Sequence, residues 1–369
     1  RLLFQRRRRR ARGPRVLVCS DFLDELNGIA RNARLVMGTL RAEGRDVTLV
    51  GTAGHRRPHG VVEGNGTVLL PAVMSMEQIG YTHSEMALPR IGALLDLLPA
   101  DLIEVETPGF IATIASLYAL LLGIPLVHHH RTDVVGYIGE YAHNGFVAWV
   151  VVRWSRLLCR LADRVIAPSQ GIADHLVRDF GVAPDRVVTV RRAVDVAQFG
   201  GPVDDRVWSA IDPEHEGVRF VVVGRVAVEK ELPFLEQVWR RVRERLPGAR
   251  LLVVGDGPYF EEMQRRCADL PEVTFTGALL GQDLHSAFAH ADFKLFPSGR
   301  DTFGTVVVES LISGTPVLVS DRGGPPDIVV GDCGWVLPYL DEDAWVEAVL
   351  HAARTSPEQR DRMRAAGRA

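Results

Sequence analysis

Apolar residues along this chain fall mostly into short runs of four or five, each followed by a polar loop and then a longer stretch with apolar residues at helical spacing. That alternation predicts parallel strands joined by crossover helices. Residues 15–19 read as a buried strand, 21–27 as a loop, and Gly28 opens a helix that Gly44 closes before a second strand at 46–50. Further strands are expected at 102–105, 125–127, 163–168 and 187–190, with a strongly apolar helix over 146–161 and Ser169 capping another. The pattern then restarts: strands at 218–223, 250–254, 272–275, 293–296, 316–319 and 335–337, with a helix at 232–246. Two copies of one pattern predict an α/β protein with two doubly wound, Rossmann-like domains. We place a basic arm at 1–14, an N-terminal domain at 15–199, a linker at 200–217 on its Gly-Pro-Val-Asp-Asp start, and a C-terminal domain at 218–369.

The length of 369 residues suits two domains, and 47% hydrophobic and 24% charged residues give each an ample core. The net charge of −3 argues against nucleic acid as the main partner. Lys occurs only at 230 and 294, every other basic residue being Arg, so Lys230 stands out. Cys19, Cys159, Cys267 and Cys333 are scattered without metal-ligand spacing and fit a reduced, cytoplasmic setting. No secretory leader is seen, and the longest apolar stretch, 111–127, is split by Gly123 and Pro125. The seven Arg of the arm read as solvated; a second reading tethers them weakly to anionic lipid at the inner face of a membrane, at about 1 kcal/mol per Arg. Helix 146–161, with Trp149, Trp154 and Arg153, reads as packed, with a membrane-surface face as the alternative. No G-x-G-x-x-G follows the first strand, so a dinucleotide cofactor is not favoured.

The stretch with most chemistry runs from 293 to 310. An apolar strand enters the loop Pro297-Ser298-Gly299-Arg300-Asp301, and a helix follows through Thr302, Phe303, Gly304, Thr305 and Glu309. Backbone N–H groups at such a helix start form an anion site at the carboxyl edge of the sheet. Glu309 lies roughly 8–9 Å along the axis at about 1.5 Å per residue, the distance at which the ribose of a bound nucleoside diphosphate would stand. Its carboxylate could accept from two ribose hydroxyls, while Asp301 stays near whatever the diphosphate carries.

Two acids seven residues apart around Phe303-Gly304, before Ser313-Gly314-Thr315-Pro316-Val317, resemble the acidic motif of retaining GT-B glycosyltransferases of family 4. The Asp-Thr-Phe-Gly form resembles the branch of bacterial GDP-mannose-dependent mannosyltransferases that build glycolipids; the family usually has Glu where Asp301 stands. The resemblance covers most of residues 15–355. It implies two domains facing each other across a cleft that closes on the substrates. Gly224-Arg225 followed by Glu229-Lys230 matches the family's diphosphate clamp, in which a guanidinium and an ammonium neutralise the leaving group. Gly255-Asp256-Gly257 and Thr276-Gly277 match further donor-side turns. In the first domain, Asn27-Gly28 matches a glycine loop facing the cleft, with one Gly where a pair is common. His128-His129-His130-Arg131-Thr132-Asp133 matches a segment beside the sugar and acceptor; Arg131 stands directly before Thr132-Asp133, and we assign the family's His to His130.

Three consecutive His also raise a metal, but neighbours on a strand end point to alternate sides and no second ligand cluster is apparent. Asp341-Glu342-Asp343 is nominally an Asp-x-Asp metal motif, yet it immediately precedes a helical pattern and reads as an N-cap. No metal and no cofactor are therefore expected. The resemblance implies transfer of a hexose of mannose or glucose type from a GDP- or UDP-sugar to a hydroxyl acceptor on a glycolipid, sugar or specialised metabolite. The alternatives are a GT-B nucleotide-sugar epimerase and a catalytically silent nucleotide-sugar-binding protein. No lysine is placed to form the Schiff base of a phosphorylase.

Overall fold

The computed structural model describes residues 13–21, 28–53, 61–63, 66–71, 99–106, 109–131, 145–213 and 217–369. The chain divides into two units, Arg1–Ala193 and Val194–Ala369. Each carries its own sheet, as two repeats of the apolar pattern require.

The first unit holds β1 (Val16–Cys19), β2 (Val47–Ala53), β3 (Val61–Glu63), β4 (Thr67–Pro71), β5 (Leu102–Val105), β6 (Leu126–His129), β7 (Arg164–Ala167) and β8 (Val187–Thr189). Their order is β3-β4-β2-β1-β5-β6-β7-β8, with only β3 antiparallel. Its helices are α1 (Gly28–Ala42), α2 (Phe110–Leu122), α3 (Gly145–Leu161) and α4 (Gln170–Arg178). Continuous apolar strands are what a sheet covered on both faces demands, and Leu17, Cys19, Ile103, Val105, Val165 and Ala167 are all buried. The strand order reverses between β1 and β5. There Asp21, just past β1, accepts the Ile111 N–H at 2.9 Å and satisfies the start of α2. Gly109 is required beside it: a Cβ would lie 2.2 Å from the Asp21 carboxylate. Sequence reading did not resolve β3 and β4, a three-residue and a five-residue edge pair too short to carry a period-2 signal. Ser169 caps α4 as expected, accepting from Ile172 N–H.

The second unit holds β9 (Arg219–Val223), β10 (Arg250–Val254), β11 (Val273–Gly277), β12 (Phe293–Phe296), β13 (Val317–Ser320) and β14 (Gly334–Leu337), all parallel in the order β11-β10-β9-β12-β13-β14. Its helices are α5 (Val196–Phe199), α6 (Arg206–Ile211), α7 (Leu232–Arg245), α8 (Phe260–Arg266), α9 (Gly281–Ala289), α10 (Thr305–Ile312), α11 (Glu342–Ala353) and α12 (Pro357–Arg368). Phe220, Trp239, Phe293 and Trp345 pack one face of the sheet, and Phe199, Trp208 and Phe288 the other. This order places the switch point between β9 and β12, where ligands bind outside the carboxyl ends of the strands.

The unit boundary falls at Ala193/Val194 and not in 200–217. The stretch read as a linker carries α6, whose Trp208 is fully buried and donates its indole N–H to the Ala287 carbonyl at 3.0 Å. Pro and Asp around it mimic linker composition, but Val207, Trp208 and Ile211 supply a core-facing turn.

The loops after β9 and β10 are tied by backbone hydrogen bonds. Gly224 N–H donates to Val254 O at 3.0 Å, and Val226 N–H to Asp256 O at 2.9 Å. At Gly255, with φ of +140°, a Cβ would stand 1.8 Å from the Gly224 carbonyl oxygen. Gly255→Ala is therefore expected to lower the stability of the second unit by about 2–4 kcal/mol, through overpacking and a backbone conformation closed to L side chains. Urea denaturation measures it; an unchanged midpoint would show that the loops part without cost.

Candidate functional site

The second unit brings the clamp residues and the acidic motif together at the switch point. After β9, Val228–Lys230 forms a single 3₁₀ turn that ends on Glu231 in the left-handed region, φ 57°. That turn points Lys230 toward the loop after β12, where its ammonium lies 2.7 Å from Asp301 Oδ2. Arg225 is oriented by buried Glu229, guanidinium to carboxylate 3.7 Å. Glu231 fixes the turn from the far side, accepting the Tyr339 hydroxyl at 2.5 Å with Arg300 3.9 Å away.

Beyond Asp301, α10 opens at Gly304, which takes φ of +89° and serves as N-cap without a side chain. The first turn of a helix leaves N–H groups without intrahelical partners, so this end, with Lys230 at the loop before it, can hold a polyanion. Thr302 and Phe303 are buried and anchor the loop, while Thr305 starts the helix. Glu309 is buried, 4% exposed, within α10. The Gly323-Gly324 turn closes against this loop: Gly324 N–H donates to Asp301 O at 2.7 Å, and a Cβ on Gly324 would lie 2.2 Å from Thr302 O. Gly255 and Gly257 are placed as props of the Arg225 loop; a Cβ on Gly257 would lie 2.4 Å from Val226 O. Gly277 receives the Gly255 N–H at 2.8 Å.

Lys294 was missed. It sits inside the apolar run Phe-Lys-Leu-Phe of β12, fully buried, with Nζ 3.3 Å from the Val223 carbonyl and 5.2 and 5.5 Å from the Phe288 and Phe296 rings. Burial pushes its pKa down to about 7, against the opposing pull of Glu309 and Asp301. A cation in a strand that is otherwise apolar, in a chain with two lysines, was the available signal. The unfolded chain holds this proton up to its ordinary value of 10.5, so the group costs stability below about pH 7 and that cost disappears as pH rises toward 10.5. Lys294→Met is expected to flatten this rise. Denaturant midpoints at pH 7.5 and 9.5, compared with the parent protein, check it.

In the first unit, the segment matched to the acceptor side is only partly described. Asn27 and Asp133 lie outside the described residues, and Gly28 is the first residue of α1. His129 points to Glu104, Nε2 to Oε1 2.5 Å. Buried Arg131 pairs with buried Glu106 at 2.5 Å. Burial raises the pKa of Glu106 despite that guanidinium. His128 and His130 turn to the opposite face from His129 and are buried, 1% and 5% exposed. His130 meets Phe180 edge-on at 5.1 Å and Cys159 of α3 at 4.0 Å. Burial, and then the neighbouring His130 and His129, lower the pKa of His128 to about 3. The structure thus sets His130 in the core under α3. Asp341 caps α11, accepting from Ala344 N–H at 3.0 Å, as the N-cap reading expects, and Arg241 engages Glu342 and Asp343.

Residues 27–193 match the model of the glycosyl transferase 4-like domain, and residues 217–355 that of the glycosyl transferases group 1. The chain is 30% identical over 354 residues to the GDP-mannose-dependent alpha-mannosyltransferase of Mycobacterium tuberculosis, covering 91% of this chain and 86% of that protein. It is 31% identical over 285 residues to the sulfoquinovosyl transferase SQD2 of Arabidopsis thaliana, covering 76% of this chain and spanning 54% of that protein's length. Among solved structures, the sucrose-phosphate synthase from Thermosynechococcus elongatus superposes with a TM-score of 0.77 over 95% of this chain and 94% of that one, at 18% identity.

Proposed function

The chain belongs to the group 1 glycosyl transferases and is a glycosyltransferase of GT-B architecture, and on that premise we propose that it moves a hexose from a nucleoside-diphosphate sugar to a hydroxyl acceptor with retention of configuration. The observation that carries the donor assignment is the meeting of Lys230 with Asp301 in the loop that leads into α10, with Arg225 on the loop that presents Lys230 and Glu309 further along the helix. A diphosphate at the start of α10 would lie near Lys230, with Asp301 before it in the chain and Glu309 after it.

Cleavage of the bond between the anomeric carbon and the diphosphate oxygen leaves an extra negative charge on the departing group. Lys230 and Arg225 would neutralise that charge as it develops, and the helix N–H groups would hold it without reorganising. The acceptor oxygen attacks from the face the diphosphate leaves, forming the new glycosidic bond, and its proton passes to the leaving phosphate oxygen. Asp301 would grip a hydroxyl of the transferred sugar and Glu309 the ribose. With the leaving group clamped in this way, no divalent ion is required at the diphosphate.

GDP-mannose is the first donor to test, because a relative matched over 91% of this chain is named for its dependence on it. A thermal-shift screen of GDP, UDP and their sugars should single out one base; ligand at about 100 times its dissociation constant stabilises by roughly 2.7 kcal/mol. Product analysis with that donor then decides the reaction. A glycoside with the donor's anomeric configuration supports the reading. An epimer formed without acceptor points to an epimerase, and binding without turnover to a silent binder.

The acceptor we favour is lipid-borne. Phe146, Trp149 and Val150 of α3 are exposed, as are Leu117, Leu120 and Leu121 of α2, and the Arg153 guanidinium lies 5.8 Å from the Trp149 ring centre. Among the described residues no helix is long and apolar enough to cross a membrane, so contact would be peripheral. Salt-sensitive flotation with anionic vesicles, lost in Phe146→Ser/Trp149→Ser, tests it; an unbound protein at low salt would favour a soluble acceptor.

A further inference from the structure

The alternation of side chains along β6 sends His129 to Glu104 and leaves His128 and His130 together on the opposite face. That face is covered by α3, and Cys159 comes down from the helix between them. One ligand atom from each of His128, His130 and Cys159 lies within 4.8 Å of the others, and all three residues are buried. The alternation that argues against three adjacent His as one metal site selects two of them, and a cysteine thirty residues on supplies the third donor.

We propose that His128, His130 and Cys159 form a buried three-ligand binding site for a zinc-class divalent cation in the core of the first unit. The donor chemistry is that of zinc: two imidazole nitrogens and one sulfur, with a fourth position left to water. The His128 Nδ1 atom has no hydrogen-bond partner among the described residues although the side chain is 1% exposed. A buried polar atom without a partner costs about 1–3 kcal/mol, and a metal bond would satisfy it. The Cys159–His130 contact, at 4.0 Å between Sγ and Nδ1, is at the outer limit even for sulfur. Ligand atoms around zinc stand closer than this, so binding requires α3 and β6 to draw together. The neighbouring cation is already answered: Arg131 pairs with Glu106. Binding converts the Cys159 thiol to a metal-bound thiolate and releases one proton to solvent. The ion would tie α3 to the sheet and take no part in sugar transfer.

The test uses the full chain. Elemental analysis of protein purified without chelator should find about one zinc per chain. Metal-free protein titrated with Co²⁺ should develop a thiolate-to-cobalt band in the near ultraviolet and ligand-field bands in the visible, saturating at one equivalent. Both signatures should vanish in Cys159→Ala and drop sharply in His128→Gln, and persist in His129→Gln, which lies on the same strand and faces the other way. Refilling with zinc should raise the melting temperature of the parent protein by several degrees. Co²⁺ uptake below 0.1 equivalent by the parent protein overturns the proposal whatever the variants do. So does a cobalt spectrum unchanged in Cys159→Ala.

Discussion

Lys230→Ala should lower kcat/KM by about 10²–10³-fold while leaving the fold intact, the loss of roughly 3–4 kcal/mol that follows removal of one charge-assisted donor from a developing oxyanion. The 3₁₀ turn that presents Lys230 is held by the Glu231–Tyr339 hydrogen bond and by buried Val226 and Leu232, so truncating the side chain removes the ammonium and little else. That ammonium lies 2.7 Å from Asp301 Oδ2. A diphosphate must therefore compete with a carboxylate for it, and part of the binding energy goes into that exchange. Lys230→Arg should rescue poorly, because a planar fork with fixed donors does not reproduce a point charge on a flexible stem. Nucleoside diphosphate affinity should fall in both variants. Unchanged steady-state kinetics in Lys230→Ala would remove the ammonium from the chemistry.

Glu309→Gln and Asp301→Asn should separate binding from transfer. Glu309 is buried in α10, beyond the helix start proposed to receive the diphosphate. Its loss as a charged acceptor should weaken the bare nucleotide and the sugar nucleotide alike, by about 1.5–3 kcal/mol, ten-fold or more. Asp301 lies in the loop before the helix, the side we assign to the sugar. Asp301→Asn should impair transfer by a similar or larger factor and leave bare-nucleotide affinity unchanged or slightly tighter, since neutralising Asp301 releases Lys230 to the diphosphate. Asp301→Glu should also lose activity, its extra methylene crowding a pocket closed by the Gly323-Gly324 turn, where Gly324 N–H already reaches the Asp301 carbonyl at 2.7 Å. Calorimetry with nucleoside diphosphate on the two neutral variants decides the matter. If Asp301→Asn loses the bare nucleotide and Glu309→Gln keeps it, the donor lies in the reverse orientation.

Most of this site was legible because its chemistry sits at ends of elements that hydrophobic periodicity marks. The strands 218–223 and 293–296 announce themselves as apolar runs, and the residues just after them, Gly224-Arg225 and Asp301, are thereby placed at one sheet edge. What was not legible depends on contacts distant in sequence. Tyr339 and Glu231 carry no local signature of their hydrogen bond. The roles of Gly255 and Gly257 follow from backbone approach to residues 224–226, which no spacing predicts. Trp208 was hidden by the composition around it. His130 was placed by resemblance beside the sugar, but the geometry that sets it under α3 with Cys159 needs the helix packing as well as the strand.

The Lys230–Asp301 pair joins residues 71 positions apart, because β9 and β12 are neighbours in the sheet while β10 and β11 intervene in the chain. That topology bears on how the protein comes into being. β9 and β10 can dock as soon as the helix between them forms, but β12 reaches β9 only after a long loop has closed, and closure entropy must be met before the pairing rewards it. During synthesis the half of the proposed site that carries Arg225 and Lys230 emerges well before the half that carries Asp301 and Glu309. The nascent chain therefore carries Lys230 without Asp301, its partner across the sheet edge, until the loop after β12 has left the ribosome, and the two halves of the proposed donor site meet only in a late step.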